Sequence, residues 1–153
     1  MILPDQTTLL LLLVVLLLFW LLTRVRTAAE EAPVRRTPMT PDELGRALFE
    51  AVRSSDFAGY RGLFLAGGET QLVLGSDADA YLDRRTRELL VVALEGLRAN
   101  LPQGSHYRGF IVGDGGQAML EAQMTDGAIR PVAVGTVVQV GAVWRLVDPM
   151  LST

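Results

Sequence analysis

Residues 9–22 read LLLLLVVLLLFWLL, fourteen consecutive positions without one polar side chain. A helix in a soluble domain keeps a polar stripe toward water, and this run has none. Taken over residues 3–22 as a single helix, the segment is about 30 Å long at ~1.5 Å per residue, the thickness of a hydrocarbon core. Leu and Val each favour insertion by a few tenths of a kcal/mol, which sums to roughly 4 kcal/mol. Pro4 suits a first helical turn, and Trp20 falls where an amphipathic ring meets the headgroups. The expectation is a transmembrane helix over 3–22, marked by Leu9, Leu13, Leu17 and Trp20, with the lipid bilayer as its partner.

A secretory signal would open on basic residues, whereas residues 1–8 hold Asp5 and neither Arg nor Lys. Thr27-Ala28-Ala29 has the small side chains of a cleavage site, but Arg24 and Arg26 stand between it and the apolar run. A retained anchor follows. There is no Cys, hence no thiol for a lipid anchor and no disulfide. Every basic residue is Arg, and Arg24, Arg26, Arg35 and Arg36 all follow the span while none precedes it. The positive-inside rule then places the main domain in the cytoplasm, with the periplasm the alternative, because folded domains are translocated despite flanking charge. Basic residues that are all Arg, with abundant Leu, Ala and Gly, fit a GC-rich bacterial genome and so a bacterial inner membrane.

Residues 23–39 read as a stalk broken by Pro33 and Pro38. Residues 40–153 suit one compact domain. A net charge of −3 and scattered arginines give nucleic acid nothing to hold.

Helical signals dominate the first half of that domain. Thr40-Pro41-Asp42-Glu43 is a capping box with proline at the first helical position. Leu44, Ala47, Leu48, Ala51 and Val52 follow as one apolar stripe. Ser54-Ser55-Asp56 ends this helix and starts a shorter one over 57–64. Gly67-Gly68 breaks the chain, and Gln71-Leu72-Val73-Leu74 reads as a short strand. Ser76-Asp77-Ala78-Asp79 repeats the capping logic for a long third helix to about Asn100. Its predicted seam is Leu82, Leu89, Val92, Ala93 and Leu97, with Asp83/Arg87 and Arg84/Glu88 as opposite-charge pairs at i,i+4. From Ser105 the period becomes two. Four strands are predicted over 106–112, 117–124, 129–140 and 142–147, joined by Gly113-Asp114-Gly115-Gly116, Thr125-Asp126-Gly127 and Val140-Gly141. Val132, Val134, Val138 and Val140 form one face of the third strand, and Pro131 demands an edge or a bulge. Trp144 and Leu146 lie opposite Arg145. Helices first and an antiparallel meander afterwards mean an α+β fold: three helices packed on a curved sheet of four to five strands.

This order resembles the cone-shaped fold of nuclear transport factor 2, ketosteroid isomerase and the SnoaL-like proteins. The segments that carry the resemblance are Leu48-Phe49-Glu50-Ala51-Val52 with Asp56-Phe57-Ala58-Gly59-Tyr60, and the closing Gly141-Ala142-Val143-Trp144-Arg145-Leu146-Val147-Asp148. It covers about residues 40–150. The superfamily holds isomerases, cyclases and dehydratases beside non-catalytic transport and assembly subunits, so the fold alone names no activity. An isomerase-type site would need a tyrosine on the first helix, an aspartate near the short strand and a second acid on the sheet, their pKa values held apart. The first helix lacks Tyr, and Asp77 and Asp79 are read as helix caps. Glu121 alternates with Gln117 and Gln123 on the wet face.

His106, the only histidine, has no carboxylate placed to orient it as a base, and one His without Cys builds no metal shell. Gly113-Asp114-Gly115-Gly116 joins two strands, whereas a phosphate cradle is backed by a helix N-terminus. No catalytic, metal or cofactor residue is therefore assigned. Tyr60, Tyr81, His106 and Trp144 are the candidate lining of a pocket for a small hydrophobic ligand. The preferred expectation is a non-catalytic accessory or scaffold subunit that docks other membrane protein subunits. It is similar in plan to the scaffold subunit of type IV secretion systems, whose cone lies in the periplasm. The alternatives are a membrane-tethered isomerase- or SnoaL-like enzyme using Asp56, Asp79, Tyr60, Tyr81 or His106, and a hydrophobe-binding module.

Overall fold

The computed structural model describes Thr8, residues 13–17, Thr37, Pro38 and residues 40–151. Two units divide the chain, Met1–Arg36 and Thr37–Thr153. Of the expected anchor only Thr8 and residues 13–17 are described. They are helical and exposed to their surroundings. Among the described residues no helix is long and apolar enough to cross a membrane. Leu9, Trp20 and the stalk before Thr37 lie outside the described residues, as do Ser152 and Thr153.

The second unit is α+β. Its helices are α1 (Pro41–Arg53), α2 (Phe57–Arg61), α3 (Gly68–Leu74), α4 (Ala78–Arg84) and α5 (Arg87–Asn100), and its strands are β1 (His106–Val112), β2 (Gln117–Gln123), β3 (Ile129–Val140) and β4 (Val143–Pro149). The capping box forms as read. Thr40 Oγ1 accepts from the Glu43 N–H at 3.2 Å, and Glu43 Oε2 accepts from the Thr40 N–H at 3.2 Å. α1 buries Leu44, Leu48, Phe49, Ala51 and Val52. Gly45 lies on the same face for a steric reason: a Cβ there would stand 2.6 Å from Phe110 Cβ and 2.7 Å from Tyr107 Oη. The helix backbone thus rests directly on β1. Asp56 caps α2 by accepting from the Gly59 N–H at 2.9 Å.

Three expectations fail between residues 62 and 100. First, Gln71–Leu74 is not a strand but the end of α3. The short extended contact forms earlier, where Phe64 bridges Leu146 in parallel; the Leu65 N–H donates to Leu146 O at 2.9 Å and the Leu146 N–H to Leu63 O at 2.8 Å. Pro38 O takes the Trp144 N–H at 3.0 Å farther along the same β4 edge. With that edge so occupied, Gln71-Leu72-Val73-Leu74 has no strand partner there and closes local hydrogen bonds as a helix instead. Second, the single long helix is two. Arg85 leaves the helical region at φ −82°, ψ 63°, and Thr86 caps α5 by accepting from the Leu89 N–H. Asp77, read as a cap, makes no capping hydrogen bond. The charge pairs Asp83/Arg87 and Arg84/Glu88 straddle the break and so do not share one helix. Third, the break shifts the buried face. Leu90, Ala93, Leu94 and Leu97 enter the core, while Val92 is 59% and Leu82 40% exposed.

The sheet is a β1-β2-β3-β4 antiparallel meander. Phe110, Leu120 and Val132 stand in one cross-strand row toward the helices, with Leu120 completely buried. Each pair of strands carries one register shift. The shift after Gly135 turns β3 over, so that Val137 instead of Val138 enters the core opposite Leu146. Gly135 adopts φ +123°, and a Cβ there would come 1.9 Å from Asp148 O, so only glycine fits. β4 pairs with β3 only from Gly135 onward. Pro131 therefore sits on a half of β3 that pairs with β2 on one side and that β4 leaves open on the other, the edge position expected of it. Arg145 reaches α3 from β4, its Nε 2.9 Å from Glu69 Oε2 and its Nη2 3.1 Å from Glu69 Oε1. Such a two-point contact orients as well as attracts.

Candidate functional site

The four residues read as a pocket lining are not brought together. Tyr60 is completely buried, edge-on to Phe64 with ring centroids 5.2 Å apart, and its hydroxyl meets no hydrogen-bond partner among the described residues. Burial alone holds its phenol well above the ordinary range. His106 is exposed on the outer face of β1, opposite Gln123. Trp144 is half-buried and packs on the core. Tyr81 is buried but lines a cavity of about 170 Å³ together with Arg84, Arg85, Leu89, Asp148, Pro149 and Leu151. Leu44, Leu48, Tyr60, Phe64, Leu90 and Leu120 fill the core, each at most 1% exposed.

A larger cleft, of about 500 Å³, lies between the C-terminal turn of α5 and the uncovered half of β3. Leu97 and Asn100 line it from α5, Arg130, Pro131 and Val132 from β3, and Met124 and Met150 also line it. Its volume falls within the range of ligand and peptide sites. Two features of the chain create it. β4 stops pairing at Gly135, and the last hydrogen bond on that edge runs from the Met150 N–H to Val134 O at 3.4 Å. On the side away from β2, residues 129–133 thus have no neighbouring strand among the described residues, and Pro131 interrupts the row of donors. Arg130 and Asp126 pair across the rim at 3.0 Å, both largely exposed. The rim is polar and nearly neutral, and the walls mix apolar side chains such as Leu97, Pro131 and Val132 with the polar Asn100 and Arg130.

No family model, no curated protein and no solved structure matches this chain.

The other acid and base candidates also stand apart. Asp56 is engaged in capping α2, and Asp79 is exposed on α4. Glu121 is half-buried on the outer face between Gly109 and Pro131. Among the described residues no three of His, Asp and Glu gather as a metal shell. Asp42, Arg46 and Tyr107 do form a cluster that sequence reading missed. Asp42 accepts from Arg46 Nε at 2.9 Å and from the Tyr107 hydroxyl at 2.7 Å. The Arg46 hydrogen bond, then that from Tyr107, holds the Asp42 carboxyl below its usual range, while burial and then Asp42 hold the Tyr107 phenol above its own. The cluster ties α1 to β1 at the surface and lines none of the cavities named above. Asn100, Arg130 and Arg85 were also missed as cavity residues. No local pattern marks them, because each becomes part of a wall only when distant segments meet.

Proposed function

We propose that the protein is a non-catalytic accessory or scaffold subunit of a bacterial membrane complex. In this reading residues 3–22 hold it in the inner membrane, and its α+β unit belongs to the nuclear transport factor 2-like, cone-shaped superfamily. The observation that carries the docking role is the 500 Å³ cleft beside the uncovered edge of β3. An extended segment of a partner subunit laid there would find the main chain of β3 on one side and the mixed apolar and polar wall of α5 on the other, the usual terms of strand addition. Pro131 limits such pairing to part of the edge, which keeps the edge from indiscriminate association. Membrane confinement raises the effective concentration of partners, so a short docking segment suffices. The packed interior around Tyr60, Phe64 and Leu120 favours this reading over an enzyme or a hydrophobe-binding cone. The four arginines after the apolar run favour a cytoplasmic domain.

The test is co-purification of the full chain from mild detergent at native expression. Defined stoichiometric partners are expected, and Met150→Glu or Asn100→Arg in the cleft should release them with the fold intact. A lone monomer, or partners indifferent to both substitutions, would refute the docking role.

A further inference from the structure

The 170 Å³ cavity holds charges that the fold leaves unmatched. Arg85, at the break between α4 and α5, is half-buried. Its Nη1 donates to Leu65 O, and to Tyr81 Oη at 3.2 Å. Its guanidinium lies 5.7 Å from the Phe64 ring centroid and 5.2 Å from that of Tyr81. All of these are neutral partners. Arg84 lines the same cavity and is exposed, and among the described residues no carboxylate lies within ion-pair distance of either arginine. A sheltered guanidinium without an anion is costly, and its planar fork matches a carboxylate in two-point contact.

One acid shares the cavity. Asp148 is exposed on β4, held in place through its backbone N–H, which donates to Thr136 Oγ1 at 3.2 Å. Among the described residues its carboxylate is engaged in no ion pair or hydrogen bond. A plain anion lodged beside it would be repelled; an anion carrying its own donor would use it as an acceptor. Leu89, Pro149 and Leu151 supply apolar wall for a few carbon atoms. At about 30 Å³ per water of liquid, the cavity has room for about five waters, the bulk of a very small organic molecule.

We propose that this cavity binds a small hydroxy- or amino-carboxylate, its carboxylate on Arg84 and Arg85 and its hydroxyl or ammonium on Asp148. The site is independent of the cleft along β3, and the proposal does not rest on the docking role.

Thermal unfolding of the full chain in detergent tests it, with lactate, alanine and acetate as probes at matched ionic strength. Lactate or alanine should raise the unfolding midpoint above that in chloride, and acetate should raise it less. Arg84→Gln should weaken the binding of either probe about tenfold or more, the loss of one charge-assisted hydrogen bond. Asp148→Ala should erase the advantage over acetate. Both positions are exposed, so the variants should unfold at the parental midpoint when no probe is present. The proposal is overturned if no probe shifts the midpoint beyond chloride. It is overturned equally if acetate matches lactate and alanine, or if the shifts survive both substitutions.

Discussion

Tyr60 shows how much a single side chain depends on its surroundings. In the sequence it is a candidate for lining a pocket; in the fold it is a completely buried ring whose hydroxyl has no partner among the described residues. An unsatisfied buried hydroxyl costs about 1–3 kcal/mol, so Tyr60→Phe should leave stability unchanged or raise it by about 1 kcal/mol in urea unfolding. The substitution also has a pH signature. Burial raises the phenol's pKa in the folded state, so the unfolded chain ionises first. Stability is therefore complete below a pH of about 10, the ordinary tyrosine value, and falls as pH rises beyond it. Tyr60→Phe should flatten that alkaline decline without abolishing it, since Tyr81 and Tyr107 are shifted in the same direction. An unchanged alkaline limb would show that Tyr60 is not buried as described. The same scale explains why Arg85 was illegible: a guanidinium reaching Leu65 O from twenty residues away follows no local rule.

At the scale of elements, legibility tracks how local the deciding interactions are. α1 and α2 begin where Thr40 and Asp56 say they should, because a cap and its N–H lie within three residues. The meander is equally plain, since glycine turns and a period of two are short-range signals. α3 and the α4–α5 break were misread for the opposite reason. Whether Gln71-Leu72-Val73-Leu74 pairs or coils depends on who holds the β4 edge, and that edge goes to residues 63–65 and Pro38. The phase of β3 likewise turns on a bulge that an uninterrupted alternation of valines conceals. Gly135→Ala tests it. A Cβ 1.9 Å from Asp148 O cannot be absorbed without moving β4, so a loss of about 2 kcal/mol or more is expected in chemical unfolding. Gly127→Ala serves as the comparison: its φ is also positive, but open space surrounds it, so its cost is that of backbone conformation alone. Equal losses at the two positions would remove the steric argument for the bulge.

For the whole molecule, the apolar run and the α+β unit make separate demands. Removing residues 1–36 should leave Thr37–Thr153 folded, with a cooperative transition, and should move it from the membrane to the soluble fraction. Persistent sedimentation with membranes would mean that the α+β unit itself binds lipid or a membrane subunit, and that the anchor is not its only hold. The starts of α1 and α2, the order of helices before strands and the placement of Pro131 were all readable from residues 40–149. Each depends on hydropathy or on hydrogen bonds spanning a few positions. Which segment covers the last strand, which valine faces inward, and which residues share a cavity with Asp148 were settled only when segments tens of residues apart came into contact. Both cavities are products of that second kind of information, because a cavity is the space between surfaces that no single stretch of chain contains.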